Sequence, residues 1–140
     1  MKRIVAVAFG VLLAMAPMTA PMAIAGANDP LFVNTTTDEP HRSTMALTFA
    51  MKQQELKHPV TIFLNDRAVV LGSRAHASKF GKQQQMLVDL MKAGGTVLIC
   101  PMCMQHYGVN KDDLLPGIKI GSPELTGGAL FADNAKSLTW

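Results

Sequence analysis

The sequence predicts an α/β fold in which helices cover both faces of a mainly parallel sheet, forming a three-layer sandwich. Five short apolar stretches suited to strands alternate with stretches suited to helices, and this alternation is typical of parallel pairing. The 140 residues are enough for one hydrophobic core but not for two. Apolar residues make up 49% and charged residues 16%, a balance that excludes a disordered chain.

The predicted strands and helices follow one another along the chain. Residues 31–33 form the first strand, and a helix over residues 40–57 follows it, starting at a proline, which is favoured at the first helical position. Residues 82–93 form the clearest amphipathic helix, which two glycines end. The apolar positions of the first helix include Met45, Phe49 and Leu56. The other strands are predicted at residues 60–64, 96–99, 118–120 and 137–140, and shorter helices at residues 100–108 and 125–131.

Residues 1–25 have the layout of a secretory signal peptide. Two basic residues precede an uncharged apolar stretch, and two prolines and a run of small residues follow it. The apolar stretch is shorter than the ~20 residues that a membrane-spanning helix needs. We therefore expect cleavage after Ala25 or Ala27, a periplasmic location, no stable membrane anchor after cleavage, and a single domain over residues 28–140.

The charge argues against a nucleic-acid partner. The formal net charge is +3, but Lys2 and Arg3 belong to the leader, and without them basic and acidic residues nearly balance. No cluster of Lys and Arg remains that could neutralise several phosphates. We therefore expect the protein not to bind nucleic acid.

Polar residues follow the predicted strands at the edge of the sheet where ligands gather in this architecture. Thr36 follows the first strand, Asp66 follows the second, and Cys100 and Cys103 follow the third. His41 lies at the start of the first helix, where its side chain, when positively charged, can meet an anionic sulfur species. We take Thr36, His41 and Asp66 as candidate binding residues. The alternative for each is an ordinary solvated or turn residue.

The two cysteines of the chain lie three residues apart at a strand-to-helix junction, in the segment Cys100-Pro101-Met102-Cys103. Free N–H groups at the start of a helix stabilise a thiolate, which is the nucleophilic form of cysteine. An oxidising compartment would also let this pair close a disulfide. Since the chain has no other cysteine, the spacing favours a reactive pair over two thiols that merely pack as small hydrophobes.

His106 extends the cysteine pair to C-x2-C-x2-H. Thiolates with an imidazole suit Cu(I) or Zn²⁺, but a closed zinc site needs four ligands and only three are local. We therefore expect no cofactor and add His106 to the candidate binding residues, as a polar neighbour or proton donor for a thiol. The alternative is a copper or zinc site formed by Cys100, Cys103 and His106.

The cysteine segment carries a family resemblance. The pattern C-x-x-C-M-x-x-x-G-V over residues 100–109, preceded by Gly-Thr-Val-Leu-Ile over residues 95–99, resembles the DsrE/DsrF-like family of sulfur-relay proteins, which has the YchN-like fold. The closing strand over residues 136–140 is also similar to that family. The resemblance covers essentially the whole mature chain.

The resemblance implies a flavodoxin-like, five-stranded parallel sheet and assembly as a homotrimer or hexamer. In sulfur-relay members a strand-end cysteine accepts sulfane sulfur as a persulfide and passes it to the thiol of a partner. Cys100 falls on that position, and Cys103 matches the second cysteine of a branch with the CxxC-M motif. If the strand order is that of flavodoxin, Cys100 lies near the switch point between the first and third strands.

Three hypotheses follow for the function. The first is an exported sulfur carrier with Cys100 as acceptor and Cys103 as resolving or second thiol, which could release the sulfur by closing a disulfide. Its partners are sulfur donor and acceptor proteins or small sulfur species. The second is a periplasmic copper- or zinc-binding protein, and the third is a thiol–disulfide exchanger, which Pro101 between the cysteines allows. A carrier that is loaded once per encounter is not strictly an enzyme, so the sequence leaves turnover open.

Overall fold

The computed structural model describes Gly26 and residues 28–140, so the predicted signal peptide lies outside the described residues. Three 3₁₀ helices are found in the connections, at Asp66–Gly72, Arg74–His76 and Lys111–Asp113. The strands and α-helices, in chain order, are β1 (Leu31–Thr35), α1 (Pro40–Glu55), β2 (Val60–Leu64), α2 (Ala77–Lys92), β3 (Thr96–Ile99), α3 (Pro101–His106), β4 (Lys119–Ile120), α4 (Pro123–Leu130) and β5 (Lys136–Thr139).

The five strands form one sheet in the order β4-β3-β2-β1-β5, and all four pairings are parallel. Helices flank the sheet, so the predicted α/β class and the five-stranded parallel sheet are confirmed. The strand order differs from that of flavodoxin, because β2 separates β1 from β3, so the condition for placing Cys100 near a switch point between the first and third strands is not met. From β1 to β4 each new strand joins the same side of the sheet, whereas β5 joins the other side, next to β1, so the switch point lies between β1 and β5. The strand that precedes Cys100, β3, lies between β2 and β4.

The main core lies between the sheet and the helices α1 and α2. Alternate residues of a strand point to the same face, and those facing this core are fully or nearly fully buried. Leu87 and Leu90 of α2 are completely buried against them, which confirms the predicted amphipathic helix. Burial of such a side chain stabilises the fold by about 1.5–3 kcal/mol. The strand residues of this core are Leu31, Val33, Val60, Ile62, Leu64, Val97 and Ile99.

Helix α1 packs through a different face from the one that its large apolar residues suggest. Leu56, just beyond the helix, is 64% exposed, and Met45 and Phe49 are also exposed. The buried side chains of α1 are smaller on average, and they let the helix approach its neighbours closely. These buried residues are Ser43, Ala46, Leu47 and Ala50.

The opposite face of the sheet carries a smaller apolar layer next to α4. Phe32 and Leu98 are almost fully buried, and the ring centroids of Phe32 and Phe63 are 6.2 Å apart. The chain between β4 and α4 passes close to this layer, since a Cβ at Gly121 would lie 3.3 Å from the Phe63 ring. Within residues 28–140, no helix is long and apolar enough to cross a membrane.

The turn before β3 depends on a glycine. A Cβ at Gly95 would lie 2.3 Å from Leu90 Cδ2 and 3.0 Å from the Leu90 carbonyl oxygen. We expect Gly95→Ala to lower the free energy of unfolding by about 1–3 kcal/mol, because backbone as well as side chain must shift. Urea denaturation followed by circular dichroism measures this loss.

Gly128→Ala is the matched control for Gly95→Ala. Gly128 lies within α4, and a Cβ there would meet no atom within 4 Å. Alanine has the higher helix propensity, so this variant should keep or raise the stability, by up to about 1 kcal/mol. Equal stability of the two variants would contradict the close approach at Gly95.

Candidate functional site

The parallel register of β2 and β3 places Cys100 beside Asn65. Leu64 pairs with Ile99, and the Cys100 N–H donates to the Leu64 carbonyl oxygen at 2.9 Å. Both Asn65 and Cys100 continue their strands in an extended conformation. Since neighbouring residues of parallel strands share a face, the two side chains leave the carboxyl edge of the sheet on the same side.

Cys100 is the N-cap residue of α3. Its Sγ accepts a hydrogen bond from the Cys103 N–H at 3.4 Å, in the place that a serine or aspartate oxygen usually takes. Pro101 occupies the first helical position, where its missing N–H is not needed. The C-P-x-C segment therefore forms the strand-to-helix junction predicted from the sequence, with Cys100 partly exposed.

Cys103 is held as a thiol. Its Sγ donates to Asn65 Oδ1 at 3.0 Å. Burial raises the pKa of the Cys103 thiol, and the hydrogen bond with Cys100 raises it further, while the Asp66 N–H works in the opposite direction. The expectation that the start of the helix favours a thiolate is therefore wrong for Cys103, because loss of solvent outweighs the favourable N–H groups.

The turn after β2 orients Asn65. Asn65 Oδ1 also accepts the Asp66 N–H at 2.8 Å, and Asp66 adopts a left-handed conformation with φ 48°. This conformation is unfavourable for a residue with a side chain, by about 1–2 kcal/mol. The Tyr107 hydroxyl donates a hydrogen bond to the Asp66 carboxylate, and this bond holds the turn in place. The same bond is the main cause that raises the pKa of Tyr107, and burial raises it further.

Charged side chains join the loop after β1 to the loop after β2. Arg67 Nε donates to Asp38 Oδ1 at 3.1 Å, and Lys79 Nζ lies 3.7 Å from Asp38 Oδ2. Burial raises the pKa of Asp38, but the bond to Arg67 and the positive charges of Arg67 and Lys79 outweigh it, so the pKa of this carboxyl is lowered overall. The Arg67 guanidinium also lies 5.8 Å from the centroid of the Tyr107 ring. Because both cations are largely exposed, these contacts position the loops more than they stabilise the fold.

Of the predicted binding residues Thr36, His41 and Asp66, only Asp66 lies at the cysteine site. Asp66 joins the cysteine site through the turn that orients Asn65. Thr36 Oγ1 instead donates to the Trp140 carbonyl oxygen at 2.8 Å, which ties β1 to the end of the chain. His41 lies exposed on the first turn of α1, where its N–H donates to the Glu39 carboxylate.

The alternative metal site is not assembled. The His106 ring is exposed and packs edge-to-face on Tyr107, with ring centroids 4.6 Å apart. Across Gly26 and residues 28–140, no three side chains of His, Cys, Asp or Glu are grouped so that they could hold a metal ion. Cys100, Cys103 and His106 therefore do not form a common ligand set in this structure, and both cysteines are free thiols.

Three contributors to the site were not among the predicted site residues. Tyr107 follows Cys103 by four residues, a spacing that places two side chains on one face of a helix and could have indicated it. Asn65 directly precedes the predicted Asp66. The ion pair between Arg67 and Asp38 joins residues 29 apart along the chain, and no local pattern signals such a contact.

Comparison with known proteins shows what this chain is similar to. Protein YchN from Escherichia coli K12 is 28% identical over 93 residues, which cover 65% of this chain and 80% of YchN. The crystal structure of E. coli ychN matches with a TM-score of 0.65 at 28% identity, covering 81% of this chain and 99% of that chain.

Two further solved structures, each covering 81% of this chain, share the fold at lower identity. The protein of unknown function MTH1491 from Methanobacterium thermoautotrophicum matches over its whole length, with a TM-score of 0.63 at 15% identity. The protein BT1422 from Bacteroides thetaiotaomicron matches over 97% of its length, with a TM-score of 0.61 at 22% identity. Both likenesses concern the fold alone.

The family match covers four of the five strands, the cysteine segment and nearly all of the described chain. Residues 31–135 match the DsrE/DsrF-like family, a span that runs from the start of β1 to the residue before β5. The parallel sheet and the YchN-like neighbours agree with this match. The protein therefore belongs to the DsrE/DsrF-like family.

Proposed function

We propose that this protein is an exported sulfur carrier, in which Cys100 accepts sulfane sulfur as a persulfide and passes it to the thiol of a partner. The observation that carries this proposal is the unequal hydrogen bonding of the two thiols. The Cys103 N–H donates a hydrogen bond to Cys100 Sγ, whereas the Cys103 thiol donates a hydrogen bond to Asn65 Oδ1. Membership of a family related to sulfur relay supports the same reading.

Loading is a nucleophilic displacement at sulfur. The Cys100 thiolate attacks the outer sulfur of the donor, a new S–S bond forms at Cys100, and the S–S bond of the donor breaks. The donor leaves as a thiolate, so there is no net oxidation or reduction. The N–H of Cys103, 3.4 Å from Cys100 Sγ, stabilises negative charge on the attacking sulfur.

The protonated state of Cys103 protects the loaded carrier. A Cys103 thiolate could attack the inner sulfur of the Cys100 persulfide, close a disulfide and release the outer sulfur as HS⁻. Because burial raises the pKa of Cys103, little of this thiolate is present at neutral pH. The persulfide would then persist until an acceptor thiol from a partner arrives and takes the outer sulfur.

The other two hypotheses have less support. The three metal ligands that the second hypothesis needs are not brought together, as His106 packs on Tyr107. Thiol–disulfide exchange uses the same cysteine pair, but it requires Cys103 to act readily as the second nucleophile. The raised pKa of Cys103 slows that step at neutral pH.

We also propose that the mature protein is periplasmic and acts as a homotrimer or hexamer. The leader pattern supports export. For assembly, the support is an exposed apolar surface on α1 and β5, which includes Met45, Phe49 and Leu138. The rings of Phe49 and Trp140 lie 6.0 Å apart within it, and β5 forms an edge of the sheet in the described part of the chain. Partners would be sulfur donor and acceptor proteins or small sulfur species.

Sulfur loading tests the proposed carrier function. The intact mass of the reduced mature protein should rise by whole sulfur atoms after exposure to inorganic polysulfide, and Cys100→Ser should abolish this rise while circular dichroism shows an unchanged fold. Cys103→Ser is the matched control, and it should still load, because it keeps the acceptor thiol. Loading of Cys100→Ser to the wild-type level would contradict the assignment.

Alkylation at different pH values tests the state of Cys103. Its reaction with iodoacetamide, followed by peptide mass spectrometry, should be slow at neutral pH and should accelerate only above the ordinary range of cysteine thiols, about pH 8.5. The reason is that burial disfavours the thiolate, and the thiolate is the reactive form. Half-maximal reactivity at or below that pH would show that Asn65 does not hold a protonated Cys103.

Native mass spectrometry of the protein purified from an expressing Gram-negative bacterium tests export and assembly together. The periplasmic fraction should contain chains that begin after Ala25 or Ala27, in complexes of three or six. Finding the full-length chain in the cytoplasm would refute export. A monomer at micromolar concentration would refute the assembly.

A further inference from the structure

A cavity of about 230 Å³ opens beside the cysteine site, between the sheet and α4. We name it the α4 groove. Its apolar wall includes Phe63 and Leu130, and its polar lining includes Asn34, Asn65 and Thr126. The groove therefore combines apolar surface with a few hydrogen-bonding groups, a composition that is common in sites for small molecules.

Asn65 connects the α4 groove to the thiols. It lines the groove and also accepts the hydrogen bond from Cys103 Sγ at 3.0 Å. Cys100 leaves the sheet on the same side, one strand away from Asn65. Neither cysteine lines the groove itself, but a molecule lying in it would have one end at Asn65, the hydrogen-bond partner of Cys103.

Asn34 supplies an unused hydrogen-bond acceptor in the α4 groove. Its Oδ1 is buried and has no hydrogen-bond partner. Thr35 Oγ1 is the other such side-chain oxygen in the described part of the chain, but alternation along β1 turns it toward the opposite face. Buried polar atoms nearly always have a partner, so Asn34 Oδ1 is the acceptor at this groove that a donor from outside the chain would satisfy.

We propose that the α4 groove binds the sulfur donor, a low-molecular-weight persulfide that carries N–H groups. An N–H of this donor would bond to Asn34 Oδ1, its carbon chain would lie against Phe63 and Leu130, and its sulfur would reach Cys100. This inference rests on the proposed carrier function and names the substrate class of that same site.

The spacing fits a small peptide thiol. Asn34 and Cys100 lie two strands and about two residues apart, which places their Cα atoms about 12 Å from each other. Side chains on one face of a sheet project in the same direction, so a molecule that contacts both residues must bridge most of this gap. A molecule of the size of glutathione has an N–H and a sulfur far enough apart to do so, whereas an inorganic polysulfide has no N–H to donate to Asn34.

The transfer step within the groove is balanced. The Cys100 thiolate attacks the outer sulfur of R–S–SH, so a Cys100–S bond forms and the S–S bond of the donor breaks. The proton stays on the transferred sulfur, and R–S⁻ leaves. No oxidant or reductant is required.

The test compares two donors and three proteins. Loading rates on Cys100 are measured by intact mass with glutathione persulfide and with inorganic polysulfide, for wild type, Asn34→Leu and Gln53→Leu. Asn34→Leu should keep the fold, because the oxygen that it removes has no partner. Gln53 lines a separate cavity near the start of β1, so Gln53→Leu is the matched control.

In Asn34→Leu, loading from glutathione persulfide should fall about tenfold, the effect of losing one hydrogen bond to the donor, while loading from polysulfide stays unchanged. Gln53→Leu should match wild type with both donors. Equal loading of Asn34→Leu and wild type from glutathione persulfide would overturn the inference. If wild type loads from neither donor, the carrier function itself fails, so the two failures are distinguishable.

A binding measurement covers the case in which Asn34→Leu does not fold. S-methylglutathione, which has no reactive sulfur, should shift the side-chain amide NMR signals of Asn34 and Asn65 in the wild-type protein. Thr126→Val, which changes the opposite wall of the groove at nearly constant volume, should weaken this binding. Unchanged amide signals at millimolar S-methylglutathione would overturn the inference.

Discussion

The parallel register between β2 and β3 is the constraint on which the site depends. Pairing of Leu64 with Ile99, continued by the bond from the Cys100 N–H to the Leu64 carbonyl, fixes Asn65 and Cys100 as neighbours on one face. A shift of one residue would send one of the two side chains to the opposite face. The apolar core on the other side opposes such a shift, since it would expose residues that are now buried. Packing of the core therefore holds the chemistry at the edge of the sheet in place.

Within this frame, hydrogen bonds make the two chemically identical thiols unequal. Asn65 Oδ1 accepts a hydrogen bond from the Cys103 thiol, and the backbone N–H of Cys103 donates to Cys100 Sγ. The turn that holds Asn65 contains a left-handed Asp66, which the Tyr107 hydroxyl ties to α3. An unfavourable backbone conformation maintained next to reactive groups is typical of functional sites. In the proposed carrier, this arrangement leaves Cys100 to bind sulfur and keeps Cys103 from expelling it.

Local sequence patterns predicted the elements whose structure is set by residues close together in the sequence. The apolar run of β2, the amphipathic α2 and the C-P-x-C junction are all set within a few residues. The packed face of α1 was missed because small residues such as Ala46, rather than Met45, face the helix's neighbours. The strand order could not be predicted from the sequence, and the flavodoxin order does not apply, since crossover connections allow more than one order. Contacts between distant loops, such as that of Arg67 with Asp38, depend on the finished fold.

The division of roles between the two thiols is the central claim, and locating the added sulfur in the wild-type protein tests it most directly. After loading with less than one equivalent of polysulfide and blocking of free thiols, tandem mass spectrometry of the peptide that contains both cysteines separates fragments with Cys100 from those with Cys103 alone. The account predicts the extra sulfur on fragments that contain Cys100 and only the blocking group at Cys103. Extra sulfur on Cys103, with only the blocking group at Cys100, would contradict it.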